Sequence, residues 1–351
     1  MEARPRSGVG RLVVALVVVP IVAVIGSCLS LRSDYGPPSA SYRLALSADG
    51  QRMLVAKWTQ DAGNTLWEGA VGAPLQPVQP PPGERFAGTA AYAAQGPSLL
   101  YASVQAAAGD VNGRTRLWKL DPGGKPELVL EHPSGIGQVL PLRDGRLVLW
   151  TLAAQIARGD TFNPNPRATS NWRVYGWKLW KPDGEMLPLR IPESPFGSPT
   201  SLVRDAALVR VEDVRNLADR AAQPRHVLVT VPLGQEKVPE MPADLVPATG
   251  LTEPRLACDW SGATCLRVTT HEKKVPGDAY YAHRGEVVRH GRSCGVLPAQ
   301  DRIEHAALAS GGDAVLMLTR PSPRVQEHVA AYFELAPGGC AITRQLQPAL
   351  P

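Results

Sequence analysis

An all-β fold of about six blades, each a four-stranded antiparallel sheet as in a β-propeller, is what this sequence predicts, on three observations. A strand-turn-strand unit returns roughly every 50 residues, the spacing expected of such blades. Glycine at 33 and proline at 34 of 351 residues break up any long helical periodicity. Short apolar runs alternate with Asp-Gly and Gly-Gly turns along the body. An N-terminal apolar targeting or anchor segment precedes the blades.

That segment reads as an export signal. Arg4, Arg6 and Arg11 give a positive n-region, and residues 12–26 form an apolar stretch of roughly 15 residues. It closes on Ile25-Gly26-Ser27-Cys28, which resembles the bacterial lipobox and makes Cys28 the candidate for lipidation. A second reading extends the uncharged run to Leu31, about 20 residues between Arg11 and Arg32, enough to span a bilayer as an uncleaved anchor. Pro20 would kink that helix without forbidding it. Ordinary cleavage is the third reading. In both tethered readings the arginines hold the N-terminus in the cytoplasm. The body is therefore expected in the bacterial cell envelope, extracytoplasmic, held as a lipoprotein or by a single N-terminal transmembrane helix. Residues 1–31 are assigned to this segment, 32–40 ("RSDYGPPSA") to a linker, and 41–348 to the propeller.

The body is organised by its repeat. "YRLALSADGQRMLVAKW" with "TLWEGAVGAPLQPV" supplies two strands around Asp49-Gly50, a third opening with an aromatic, and a fourth. The order returns as "FAGTAAYAAQGPSLLYASV" with "RLWKLDPGGKPELVL", and as "QVLPLRDGRLVLWTL" with "YGWKLWKPDGEMLPLRI". Fainter copies are "SLVRDAALVRVED" with "HVLVTVPLGQEKVPEM", "RLACDWSGATCLRVTT" with "YYAHRGEVVRHG", and "HAALASGGDAVLMLTR" with "AAYFELAPGGCAITRQL". Trp67, Trp118, Trp177 and Phe333 open the third strands; packing between neighbouring blades is the role expected of them, because one blade cannot bury both its faces alone. The ring is expected to close between whole blades, the first beside the last.

"LALSADGQRMLVAKWTQDAGNTLWEGAV" is similar to the WD40-like repeat of TolB-type propellers, with Ser47, Asp49, Gly50 and Trp67 at the positions of the Ser-x-Asp-Gly turn and the aromatic. The resemblance implies a propeller over residues 41–348. It does not extend to the N-terminal α/β domain that TolB itself carries, so TolB's partners and role do not transfer.

Of the five cysteines, four lie in the body, an even number suited to an oxidising compartment. Cys258 and Cys265 flank a Ser-Gly turn symmetrically in "ACDWSGATC" and can face each other across a hairpin. Cys294 with Cys340 is left by elimination.

Loop length is the functional clue. First-to-second and third-to-fourth turns are short, whereas "QAAAGDVNGR", "AQIARGDTFNPNPRATSN", "EDVRNLADRAAQPR", "HEKKVPGD" and "RPSPRVQEH" follow second strands, and "PESPFGSPT" and "MPADLVPATGLTEP" join blades. In an up-and-down blade these two sets leave on one rim, and binding residues favour such loops over a rigid scaffold. Arg158, Asp160, Asn163, Arg167, Arg215, His271, Arg324 and His328 are the candidates for that face, and His271 and His328 fall in comparable loops.

Chemical motifs are sparse. Gly291-Arg292-Ser293-Cys294-Gly295 matches the G-x-S-x-G pattern, but "VLPAQDR" follows where a nucleophile elbow needs a helix. The seven histidines show no metal-ligand spacing, so no metal and no cofactor is expected. Net charge is +5 without a basic run, which argues against nucleic acid and fits weak attraction to anionic envelope surfaces. The expected function is a monomeric, non-catalytic binding or scaffold module, its partner another envelope protein or a polysaccharide. The alternative is a propeller-type hydrolase or lyase acting on a glycan or peptide at the channel mouth, with Arg204, Asp259 and Glu304 as its candidate polar residues.

Overall fold

The computed structural model describes residues 40–105, 113–156, 172–189, 199–203, 206–213, 225–232, 246–247, 255–259, 261, 263–275, 278–298, 302–320 and 327–351. Its strands form six four-stranded antiparallel sheets. The first sheet holds β1 (Ala40–Leu46), β2 (Arg52–Thr59), β3 (Gly63–Ala70) and β4 (Gln76–Pro77). The second holds β5 (Glu84–Tyr92), β6 (Leu99–Gln105), β7 (Thr115–Leu120) and β8 (Glu127–His132), and the third β9 (Ile136–Pro141), β10 (Leu147–Ile156), β11 (Trp172–Trp180) and β12 (Met186–Leu189). The fourth is β13 (Pro199–Val203), β14 (Ala206–Asp213), β15 (Arg225–Pro232) and β16 (Val246–Pro247). The fifth is β17 (Arg255–Cys258), β18 (Thr264–Val275), β19 (Asp278–Arg289) and β20 (Arg292–Val296). The sixth is β21 (Arg302–Leu308), β22 (Ala314–Arg320), β23 (Val329–Leu335) and β24 (Ile342–Leu346).

Every sheet is made of consecutive strands in chain order, so each sequence copy forms its own sheet, and no described sheet mixes strands from the two ends of the chain. The short turns explain why. Ser47 Oγ donates to Asp49 Oδ1 at 2.6 Å, the Gln51 and Arg52 amides donate to Asp49 Oδ1 and Ser47 Oγ, and Gly50 takes φ +71°. A Ser-x-Asp-Gly stretch thus closes a hairpin with its own side chains. Asp259 does the same in the fifth sheet, accepting from the Ser261 hydroxyl and the Thr264 amide.

The core lies between sheets rather than within them. Leu54 and Leu66 of the first sheet cluster with Phe86, Tyr92, Leu99 and Tyr101 of the second. Leu100 and Leu117 of the second cluster with Ile136, Val139 and Leu149 of the third. Leu266, Val268 and Val287 of the fifth meet Ile303, Met317 and Phe333 of the sixth. The sixth in turn packs Leu316, Leu318 and Tyr332 onto Leu44, Leu46, Met53 and Val55 of the first. Trp67, Trp118 and Phe333 all belong to these inter-sheet clusters, as the repeat implied, and Trp177 is buried with its ring stacked on Trp150. First strands touch across neighbouring sheets, β1 with β5 and β21, β5 with β9, and β17 with β13 and β21. They face the common axis and the fourth strands lie outermost, which is the arrangement of a β-propeller.

Both body disulfides are formed. Cys258–Cys265 joins β17 to β18 across the Ser-Gly turn, where the two residues stand directly opposite. Cys294–Cys340 joins β20 to the turn before β24, so it links the fifth sheet to the sixth.

One sequence expectation is corrected. "HEKKVPGD" is not a long loop: the polar stretch continues the ladder, and β18 and β19 pair residue by residue out to Val275 and Asp278. In the fourth copy the described outer strand is Val246–Pro247, paired with Leu228 and Val227, and "GQEKVPEM" lies outside the described residues. The apolar N-terminal run and Cys28 lie outside the described residues.

Candidate functional site

Antiparallel sheets with this strand order have two unlike rims. Turns after first and third strands collect on one, and connections after second strands and between sheets on the other. The first rim is interlocked: the Gly311 amide donates to the Ala48 carbonyl, and the Tyr332 hydroxyl to the Gly50 carbonyl at 3.1 Å. A Cβ placed on Gly50 would stand 2.5 Å from that of Ala314. The second rim carries the long connections after β6, β10, β14 and β22.

Two polar clusters sit where first strands meet this second rim. In the second sheet the Glu84 carboxylate accepts from Ser103, from Arg116, and from Trp118 Nε1 at 3.1 Å, while Trp118 also donates to Ser103. Burial and the Glu84 charge push the nearby Tyr101 phenol up to about 12. In the sixth sheet Glu304 is paired with Arg320 and accepts from His328 Nε2 at 2.8 Å. Burial of Glu304 works to raise its pKa, but the His328 hydrogen bond and the neighbouring positive charges outweigh it, and the carboxyl ends below the usual glutamate range. His328 packs edge-on against Tyr42 of the first sheet at 5.3 Å. Both carboxylates accept from several side chains and hold an arginine, and at Glu304 a histidine, in place.

Beside them stands Trp58, near the end of β2, 46% exposed and directly opposite Ser41 on β1 and Asn64 on β3. Its neighbour Lys57 donates to the Pro351 carbonyl at 2.8 Å and lies over the Tyr42 ring.

Of the predicted face residues, Arg158, Asp160, Asn163, Arg167, Arg215 and Arg324 lie outside the described residues, as does Arg204. His271 is exposed on β18, paired with Ala282. His328, expected as a solvated loop histidine, has a side chain only 6% exposed, because Glu304 and Tyr42 hold it in the seam between the last and first sheets. Asp259 is a turn-closing residue on the opposite rim. Ser293 lies on β20 beside the disulfide-bonded Cys294, on a strand rather than a strand-to-helix elbow. Among the described residues no group of three or more His, Cys, Asp or Glu could hold a metal ion. Sequence reasoning missed Glu84 and Trp58. The signal for Glu84 was present, since "GERF" and "RIEH" each put a glutamate at the start of a first strand.

No protein-family model matches the chain, and no curated protein matches it. Among solved structures, TolB from Acinetobacter baumannii aligns at 11% identity and TM-score 0.44, over 88% of this chain and 63% of its own. The acylaminoacyl peptidase of Pyrococcus horikoshii aligns at 11% identity and TM-score 0.44, over 89% of this chain and 45% of its own. A gluconolactonase from Xanthomonas campestris aligns at 11% identity and TM-score 0.39, over 81% and 84%. The chain thus spans less than two thirds of the TolB and peptidase chains. Likeness at this level says nothing of activity.

Proposed function

We propose that this chain is a membrane-tethered, extracytoplasmic propeller of six blades that acts as a non-catalytic binding or scaffold module in the bacterial cell envelope, capturing another envelope protein or a polysaccharide on its second rim. One observation carries the reading: the long connections after β6, β10, β14 and β22 all leave from that rim, while the opposite rim is closed by short interlocked turns. A rigid scaffold whose long connections leave from one side suits recognition. Two disulfides in the body support an oxidising compartment, and the apolar run ending at Cys28 supports the tether.

The test exchanges residues 157–171 for a short Gly-containing turn and captures partners from envelope extracts, identified by mass spectrometry. Retained folding with lost capture supports the proposal. Capture that survives exchange of this connection and of 214–224 and 321–326 refutes it. Cys28→Ala separates the tethers: released or misprocessed protein means lipidation, and unchanged membrane association means an anchor helix.

A further inference from the structure

A histidine and a lysine meet in the seam between the second and third sheets with no carboxylate between them. His132 closes β8 and is 3% exposed. It stands directly opposite Thr115 on β7 and shares the strand face of Leu130, which packs on the third sheet. Its Nε2 lies 3.1 Å from Nζ of Lys178, which reaches across the seam from β11, where it is paired with Leu149 of β10. Lys178 can donate to that nitrogen only while the imidazole is neutral and carries its proton on Nδ1. There the Ser134 carbonyl accepts at 3.0 Å. The Ser134 hydroxyl donates to the Leu152 carbonyl at 2.6 Å, and the Leu152 amide donates to the Gly135 carbonyl at 2.8 Å. One neutral ring thus ties the connection between the sheets, 133–135, to both β10 and β11.

The surroundings leave no room for a second charge. Ala102, Leu117, Ile136, Val139 and Leu149, from β6, β7, β9 and β10, make the apolar cluster of this seam. Thr151, next on the Leu149 face of β10, is fully buried and its hydroxyl has no partner. The charged groups nearby are taken up with one another: Glu131 pairs with Arg114 and Arg116, Arg116 also with Glu84, and Lys181 with Glu185. Burial, and with it the Lys178 charge, holds the His132 imidazole below its ordinary value of 6.5, against the opposing pull of the Ser134 hydrogen bond. A proton taken up at Nε2 sets two positive charges 3.1 Å apart, their hydrogens directed at each other, in a medium where repulsion is far stronger than in water. Lys178 is partly exposed and has solvent to withdraw into, whereas His132 has almost none. The sixth-to-first seam is built the other way, since His328 meets the Glu304 carboxylate.

We infer that the second-to-third seam is an acid-released latch, in which a proton on His132 expels Lys178 and loosens the connection 133–135 from β10. Because the folded His132 lies below its ordinary value, the latch is at full strength above about pH 6.5 and weakens as pH falls below it. Leu152 lies near the end of β10 on the rim of the long connections, so acid acts on that rim and leaves the interlocked rim closed. The latch depends on neither the tether nor the partner of the proposed function.

The test follows hydrogen exchange of the full chain in detergent by mass spectrometry at about pH 7.5 and about pH 5, on either side of the histidine range. Each rate is divided by the intrinsic rate at its pH, so that local opening alone is compared. The expected result is several-fold weaker protection of peptides from β8, β9 and β10 at the acid pH, with β1, β2 and β22 of the sixth-to-first seam unchanged. Lys178→Met, which leaves the histidine nothing to collide with, should lose most of that pH effect. His132→Gln, which keeps an acceptor for Lys178 and takes up no proton, should lose all of it. Protection of β8 to β10 that does not change with pH overturns the latch. An acid loss of equal size in Lys178→Met overturns it as well, because burial of the histidine alone then accounts for the effect. Loss spread evenly over all the sheets overturns the assignment to this seam. Should His132→Gln fail to fold, the comparison of the natural chain with Lys178→Met still decides.

Discussion

The two seams that flank the sixth sheet are closed by different means. Both are apolar, but the fifth-to-sixth seam adds directional and covalent links. Arg289, 6% exposed, donates to Thr264 Oγ1 and to the carbonyls of Gly312, Ala336 and Gly339, and is paired with Asp313 at 2.9 Å. Cys294–Cys340 crosses the same seam. The sixth-to-first seam has no covalent link among the described residues. It relies on a larger buried cluster, on Tyr332 reaching the Gly50 carbonyl, and on the fit of Gly50 against Ala314. The difference goes with chain separation. The fifth and sixth sheets are neighbours along the chain, whereas the sixth and first are joined across some 282 residues, the span between Gly50 and Tyr332, by burial and by hydrogen bonds from Gly311 to Ala48 and from Tyr332 to Gly50.

The largest effect should come from breaking the sixth-to-first seam. Tyr332→Ala removes a fully buried ring and leaves the Gly50 carbonyl unpaired, a loss of about 4–5 kcal/mol in urea unfolding. Removing the covalent link, Cys294→Ser with Cys340→Ser, should cost less, about 3–4 kcal/mol, because the bridge closes a separation of 46 residues. The paired loss of Cys258 and Cys265, separated by 7 residues, should cost about 1–2 kcal/mol less than that. Arg289→Met leaves the buried Gly312 carbonyl and the part-buried Ala336 and Gly339 carbonyls without this donor and should cost about 2–3 kcal/mol. If it costs as much as Tyr332→Ala, the two seams are equivalent and the contrast fails.

The smallest effect is a change in pH dependence. The Glu304 carboxyl lies below its ordinary value of 4.5 in the folded protein. A depressed carboxyl contributes stability that is present above its unfolded pKa and is lost as pH falls through the folded one. Glu304→Gln should therefore flatten the acid limb of the stability profile below about pH 4.5 and leave it unchanged at neutral pH relative to its own baseline slope. A melting series from pH 3 to 7 checks this.

Most of the fold was legible because it is local. Ser47, Asp49 and Gly50 signal a self-closing hairpin, and Trp67, Trp118 and Phe333 mark a face that a lone sheet cannot bury. The Cys258–Cys265 pair was readable from the symmetry of its turn. What sequence could not show are contacts between copies. Arg289 looks like any surface arginine until two turns of the sixth sheet close around it. His328 looks like a loop residue until Glu304 and Tyr42 arrive from two different sheets. The stretch after His271 misled in the other direction, since a charged run reads as a loop whereas backbone pairing extends the hairpin through it. Trp58 went unremarked because exposure is a property of its neighbours.

The Lys57 contact with Pro351 has a practical corollary. Lys57 Nζ lies 2.8 Å from the Pro351 carbonyl and the Tyr42 hydroxyl 3.4 Å from it, so residue 351 stands close to β1, which starts at Ala40. A short Gly-Ser bridge from 351 to 40, with the chain reopened between 214 and 224, would yield a circular permutant. Its sixth and first sheets would then be neighbours along the chain.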